Sequence, residues 1–244
     1  MTSDISVLRG ESIRINDSIS VRQPTLSDIE EVGESAYFSC INMLCSTPSD
    51  FKVQLWDSGI DWTEISDYLL FQTLYKSIDE RVVELILPGV HLPQMIRVVS
   101  DKSNEVCLSS PDGAIVIDEA IYYQVVEAIR RTNSITKTTD NPGNLATKKF
   151  MLNKARRMLD RARTEKERSS SLGVIISSLV NCEHFKYNYT TVWGLTLYQL
   201  MDALQQIQRY KRCDYIMHGI YAGTIDPKAL SSDDLSWIAK SNKS

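Results

Sequence analysis

The side chains able to do chemistry are few and scattered. The 244 residues include three histidines, His91, His184 and His218, and five cysteines, at positions 40, 45, 107, 182 and 213. A zinc site needs ligands at set spacings, such as two histidines four apart on one helical face. None of these histidines has a second His, Cys or carboxylate three or four residues further on, and the cysteines fit no CxxC spacing. A nucleophilic serine would sit in a GxSxG elbow, and phosphate chemistry would use a P-loop or a GxGxxG turn. None of these three motifs is present. The adjacent carboxylates Glu30-Glu31 and Asp233-Asp234 fall where helices are expected to begin, and there they complement the helix dipole. The reading is therefore a non-enzyme, with no catalytic, metal or cofactor-binding residue assigned and no cofactor.

Two groups of residues point instead to binding. The first is basic: Lys148, Lys149, Lys154, Arg156, Arg157, Arg161, Arg163, Lys166 and Arg168 lie within one stretch. Its candidates are Arg156, Arg157, Arg161 and Arg163, which could meet phosphates or an acidic partner. The alternative is a solvated helix face that also touches the acidic first half. Glu165 and Glu167 interleave with the cations, and no aromatic platform is available for base stacking, which argues against nucleic acid. The second group is aromatic: Phe185, Tyr187, Tyr189 and Trp193. Tyr and Trp are enriched at interface hot spots, so Tyr187, Tyr189 and Trp193 are partner-binding candidates. The alternative is a loop packing its rings under the last helices.

Composition sets the class. With 43% hydrophobic and 24% charged residues, the chain has ordinary globular composition, and only 10 Gly and 7 Pro exclude collagen-like or low-complexity classes. The longest apolar runs, such as Val174-Ile175-Ile176, fall far short of the ~20 residues of a membrane span. Met1-Thr2-Ser3-Asp4 carries no basic or apolar leader pattern, and the odd cysteines read as reduced thiols, so a cytosolic protein that meets no membrane is expected. The net charge of −4 is segregated. Residues 1–129 hold 8 basic and 21 acidic side chains, residues 130–168 hold 12 and 4, and residues 169–244 hold 7 and 6.

Periodicity supplies the elements that must position these groups. Alternation over 11–22 predicts a small hairpin. A helix follows Pro24, with Ser27 and Glu30 as a capping box, and runs to Pro48. Ser49 is expected to cap a short helix ending at Gly59, and another follows around Ile65 to Lys76. Residues 81–118 read as strands at 82–87, 95–99, 105–108 and 114–118, with turns at 101–104 and 111–113. A helix spans Glu119 to Arg131. Residues 133–146 contain almost no large apolar residue and read as a linker. Beyond it the pattern is helical: one basic amphipathic helix broken at Ser169 to Ser171, an apolar helix over 172–181, a stripe at Leu197, Leu200, Met201, Leu204 and Ile207, and a short capped helix after Pro227. The expected fold is α+β: an acidic mixed domain over 1–132 with short antiparallel strands and helices, a linker over 133–146, and a mainly helical domain over 147–244.

Three stretches carry a family resemblance: INDSISVRQPTLSDIEEVGESAYFSCINMLCSTPSD (15–50), DNPGNLATKKFMLNKARR (140–157) and the segment from FKYNYTTVWGLTLYQLMDALQQ to SSDDLSWIAK (185–240). They resemble tail-module proteins of tailed phages and prophages of Gram-positive bacteria, and in particular tail assembly chaperones. That resemblance implies binding of another tail polypeptide, the tape measure protein, during virion morphogenesis in the host cytoplasm. A structural tail or baseplate component of the virion is the alternative it leaves open. A nucleic-acid-binding regulator using 148–168 is the third reading. Grooves between amphipathic helices suit a chaperone that holds apolar segments reversibly.

Overall fold

The computed structural model describes residues 4–99, 105–164 and 171–238. Its architecture is α+β, with helices dominating and short antiparallel strands confined to the N-terminal half. A short helix α1 (Asp4–Leu8) precedes strands β1 (Ile13–Arg14) and β2 (Ser20–Val21), which pair as the expected hairpin. Asn16 shapes the turn, its side chain accepting from the backbone N–H groups of Ser18 and Ile19 at 2.9 and 2.7 Å.

The helix expected over the next residues is two, α2 (Leu26–Val32) and α3 (Glu34–Cys45), divided at Gly33. Gly33 has φ of 91°, a left-handed value that side-chain-bearing residues rarely adopt. The capping box is Thr25 with Asp28, not Ser27 with Glu30. Thr25 follows Pro24 and has the extended backbone of a cap, while Asp28 reaches back to the Thr25 N–H at 2.8 Å. Ser49 does not cap α4 (Lys52–Asp57); its hydroxyl instead accepts from the Asp140 N–H at 3.0 Å. Helix α5 (Asp67–Leu74) is capped by Ser66.

The run Val82 to Leu87 is not a strand: Val82 to Ile86 lie in helix α6 (Glu80–Ile86), capped by Asp79, and Leu87 is its C-cap. Val82, Val83, Ile86 and Leu87 are all buried, and that spacing is one helical face, which outweighs their β-branched content. The other expected strands form a three-stranded meander, β3 (Ile96–Val99), β4 (Val106–Ser109) and β5 (Val116–Ile117), with Leu108 facing both Arg97 and Ile117 across the sheet. The turn read at 101–104 lies outside the described residues. Helix α7 (Glu119–Thr132) then crosses the centre, where Phe71 stacks on Tyr122 with ring centroids 4.7 Å apart.

Helices α8 (Leu145–Thr164), α9 (Ser171–Val180) and α10 (Leu197–Tyr221) complete the chain. The break expected at Ser169 and Ser170 lies outside the described residues. The region after Pro227 forms a single 3₁₀ turn, Pro227–Ala229, and further turns rather than an α-helix. Asp226 caps that turn by accepting from the Lys228 N–H.

One hydrophobic cluster takes side chains from both sides of residues 133–146. It joins Ile13, Leu26, Ile29, Ile41 and Ile129 with Leu172, Ile176, Val192, Leu195 and Leu200. The seam is a β-bridge between Thr25 and Thr196, beside a hydrogen bond from the Leu26 N–H to the Leu195 carbonyl at 2.8 Å. Thr196 caps α10 with Gln199 in a second capping box, so both bridge residues also start helices, each cap contributing about 1 kcal/mol.

Residues 133–140 are tied to the N-terminal half. The Thr138 carbonyl accepts from the Thr47 hydroxyl at 3.0 Å, Lys137 pairs with Asp67 at 2.7 Å, and Lys52 pairs with Asp140. Asn141, Gly143 and Asn144 are exposed. Limited proteolysis is therefore expected to cut first between Asn141 and Asn144. The nicked halves should stay together on size exclusion, because the shared core and the Leu26–Leu195 bond hold them. Separation into two fragments, or first cleavage inside 24–45, would contradict this arrangement.

Candidate partner-binding surface

The basic helix docks on the acidic half. Lys148 donates to Asp61 Oδ2 at 2.5 Å and to the Thr63 hydroxyl at 2.8 Å, and its Nζ lies 5.7 Å from the centre of the Trp62 ring. Arg156, two turns further along α8, pairs with Asp57 at the end of α4. Leu152 between them is buried, as is Trp62, whose ring meets Trp56 edge-on at 5.7 Å. The hydrogen bond from Lys148 holds the Asp61 carboxyl below its ordinary pKa. Of the basic candidates, Arg156 is thus engaged within the chain, Arg157 and Arg161 are exposed, and the side chain of Arg163 lies outside the described residues, as do Lys166 and Arg168.

A polar cleft of about 370 Å³ opens beside Lys148, walled by the 47–49 turn, residues 62–67 and residues 139–142. Its charged groups are matched in pairs, Lys137 with Asp67 and Lys148 with Asp61, and Lys52 meets Asp140. Among the described residues no three His, Cys, Asp or Glu side chains converge as a metal site would require. His91 meets Glu80 at 3.1 Å, His218 meets Asp214 at 3.6 Å, and His184 packs edge-on against Tyr210. Burial pushes the Cys40 and Cys45 thiols up to about 12, so both stay protonated near neutrality.

The aromatic loop between α9 and α10 is built differently. Tyr187, Tyr189 and Trp193 are 42%, 55% and 37% exposed, so these rings are not core. They are nevertheless held. The Tyr189 hydroxyl lies 3.4 Å from the Ser177 hydroxyl in the last turn of α9 and accepts from Asn181 Nδ2, just past that helix, at 2.8 Å. Those bonds lower the Tyr189 hydroxyl pKa from its ordinary value. The Trp193 indole N–H donates to the Tyr189 carbonyl at 2.9 Å, and Tyr187 packs on Phe185 at 5.4 Å. Asn188 closes the loop by accepting from the N–H groups of Thr190 and Thr191. Of its four rings, Phe185 is the one packed against the main core, which the loop also enters at Val192 and Leu195.

A second exposed surface was not read from the sequence. After Leu200 no described side chain is buried, although α10 continues to Tyr221. Residues 222–238 fold back along it: Arg212 pairs with Asp234 at 2.6 Å, Trp237 meets Tyr210 at 6.3 Å, and Ile225 lies over Gly219. Tyr215 and Tyr221 stay 70% and 79% exposed. The signal was present in the tyrosines that follow the end of the apolar stripe at Ile207.

The fold and its surfaces define an α+β protein whose helical C-terminal region carries the exposed rings. Within that region, residues 164–242 match a family model described as the YomV second domain. YomV is a Bacillus prophage protein, so the match suggests a phage-derived family for this third of the chain. No curated protein and no solved structure matches the chain. Among the described residues, no helix is long and apolar enough to cross a membrane.

The ion pairs on α8 bear on the nucleic-acid reading. Each phosphate contact made by an exposed cation would steepen the salt dependence of duplex binding by about 0.9 in log–log slope. With Lys148 and Arg156 engaged by carboxylates, no sub-micromolar duplex binding is expected at physiological salt. A fluorescence anisotropy titration across salt concentrations checks this. Tight binding lost in an Arg157→Glu/Arg161→Glu variant would restore the regulator reading.

Proposed function

We propose that this chain is a non-enzymatic phage protein that binds another tail polypeptide, the tape measure protein, during tail assembly in the host cytoplasm. The observation that carries the reading is the loop of half-exposed, hydrogen-bonded rings at Tyr187, Tyr189 and Trp193, inside the region that matches a phage-derived domain. Rings already fixed in place lose little rotamer freedom on binding, and each buried ring contributes a few kcal/mol at about 25 cal/mol per Å² of apolar area. The loop sits between the ends of α9 and α10, so the rings are presented by two helices that also pack into the core. The resemblance of 15–50, 140–157 and 185–240 to tail-module proteins supports the choice of partner.

Capture of tail proteins from infected cells by the tagged chain tests the proposal. Tyr187→Ala and Tyr189→Ala are expected to weaken capture about tenfold, or ~1.4 kcal/mol, with thermal unfolding unchanged for Tyr187→Ala. Normal capture by both variants would place the interface elsewhere. Mass spectrometry of purified virions decides the role: a chaperone should be missing, whereas a fixed copy number would make the chain a structural tail or baseplate component.

A further inference from the structure

The last stretch of α10 and the residues that follow it bury none of their described side chains. Residues 201–238 form a 38-residue arm with no buried side chain, yet it carries Tyr210, Tyr215, Tyr221, Leu235, Trp237 and Ile238 at 40–79% exposure. At ~150–250 Å² for each fully exposed aromatic ring, these six residues, three on α10 and three on the returning segment, present about 700 Å² between them. A standard specific interface takes about 800 Å² from each partner.

The pattern on the helix says what fits there. Tyr210, Asp214, His218 and Tyr221 follow one another at spacings of four, four and three, so they share one strip of α10. In order the strip reads tyrosine, acid, base, tyrosine. Reversed, it reads tyrosine, base, acid, tyrosine. An antiparallel copy therefore sets each tyrosine against a tyrosine and each Asp214 against a His218, twice over, as a two-fold axis requires. Asp214 and His218 are 50% and 74% exposed, and the centre of the strip falls between them, at the level of Tyr215 along the axis, although Tyr215 itself projects from a neighbouring face. Charge allows the same contact. Residues 201–238 hold 4 basic and 5 acidic side chains, so two copies of the arm do not repel, whereas two copies of the first 129 residues, with 8 and 21, would.

We infer that the α10 arm is a self-association surface, and that its occupant is a second copy of this chain packed antiparallel about a two-fold axis near Tyr215. The contact uses none of Tyr187, Tyr189 and Trp193, so it stands independently of the tail-polypeptide reading.

Sedimentation equilibrium of the full chain over a range of concentrations tests it. The wild-type chain is expected to form a dimer. Asp214→Lys, which sets a lysine against His218 of the other copy, should weaken the dimer tenfold or more, and Tyr221→Ala should do the same. Asp214→Lys combined with His218→Asp restores an acid opposite a base and should recover the dimer. Tyr187→Ala should leave association unchanged. Asp214, His218 and Tyr221 are at least half exposed, so thermal unfolding of these variants should match the wild type. A chain that stays monomeric up to its solubility limit would overturn the inference. So would a dimer indifferent to both Asp214→Lys and Tyr221→Ala.

Discussion

The structure depends on one short piece of antiparallel backbone pairing, Thr25 with Thr196, separated by 171 positions of chain. Its hydrogen bond from Leu26 to Leu195 brings the C-terminal region back onto the N-terminal helices. Around it, Leu26, Ile29, Val192, Leu195, Leu197 and Leu200 are buried together, so closing a very long loop is offset by apolar burial on both sides of the bridge. Each threonine also caps the helix that follows it. The same two residues therefore fix where α2 and α10 begin and how they lie against each other.

From that seam the two exposed surfaces follow. Val192 is fully buried directly before Trp193, so the loop that presents the aromatic rings is anchored one residue from the core. Leu197 and Leu200 fix the first turn of α10, Leu204 and Ile207 pack half-buried against the core, and no described side chain beyond Leu200 is fully buried. The acidic excess of the first half is partly neutralised by α8 at Asp57 and Asp61, which places the basic helix against the chain's own carboxylates.

Much of this was legible from the residues. The 3.6 period located α7, α8, α9 and the start of α10, and alternation with turn residues located the hairpin and the meander. What escaped did so for identifiable reasons. Six residues with β-branched members at 82–87 are too few to separate a helical face from a buried strand, and only burial at 82, 83, 86 and 87 decides it. Gly33 was hidden inside a helical pattern that continues on both sides of its left-handed turn. The full length of α10 was missed because its apolar positions change sides: Leu197, Leu200, Leu204 and Ile207 lean on the core, and beyond them Tyr210 and Gly219 meet the returning tail instead. The aromatic loop was visible as a composition, but the bonds that hold its rings, from Ser177, Asn181 and Trp193, depend on how the loop turns back on α9, which no helix or strand period encodes.

The closing of the core at Leu200 has a bearing on how this protein can change over generations. A substitution at Leu26 or Ile29 is paid for in folding free energy, since each is wholly enclosed. A substitution at Tyr215 or Tyr221 disturbs almost no packing, because each ring stands mostly in water. Selection can therefore rewrite the arm's recognition surface while the scaffold's sequence stays under constraint, and lineages that share this fold can diverge in what they recognise without first acquiring compensating stability.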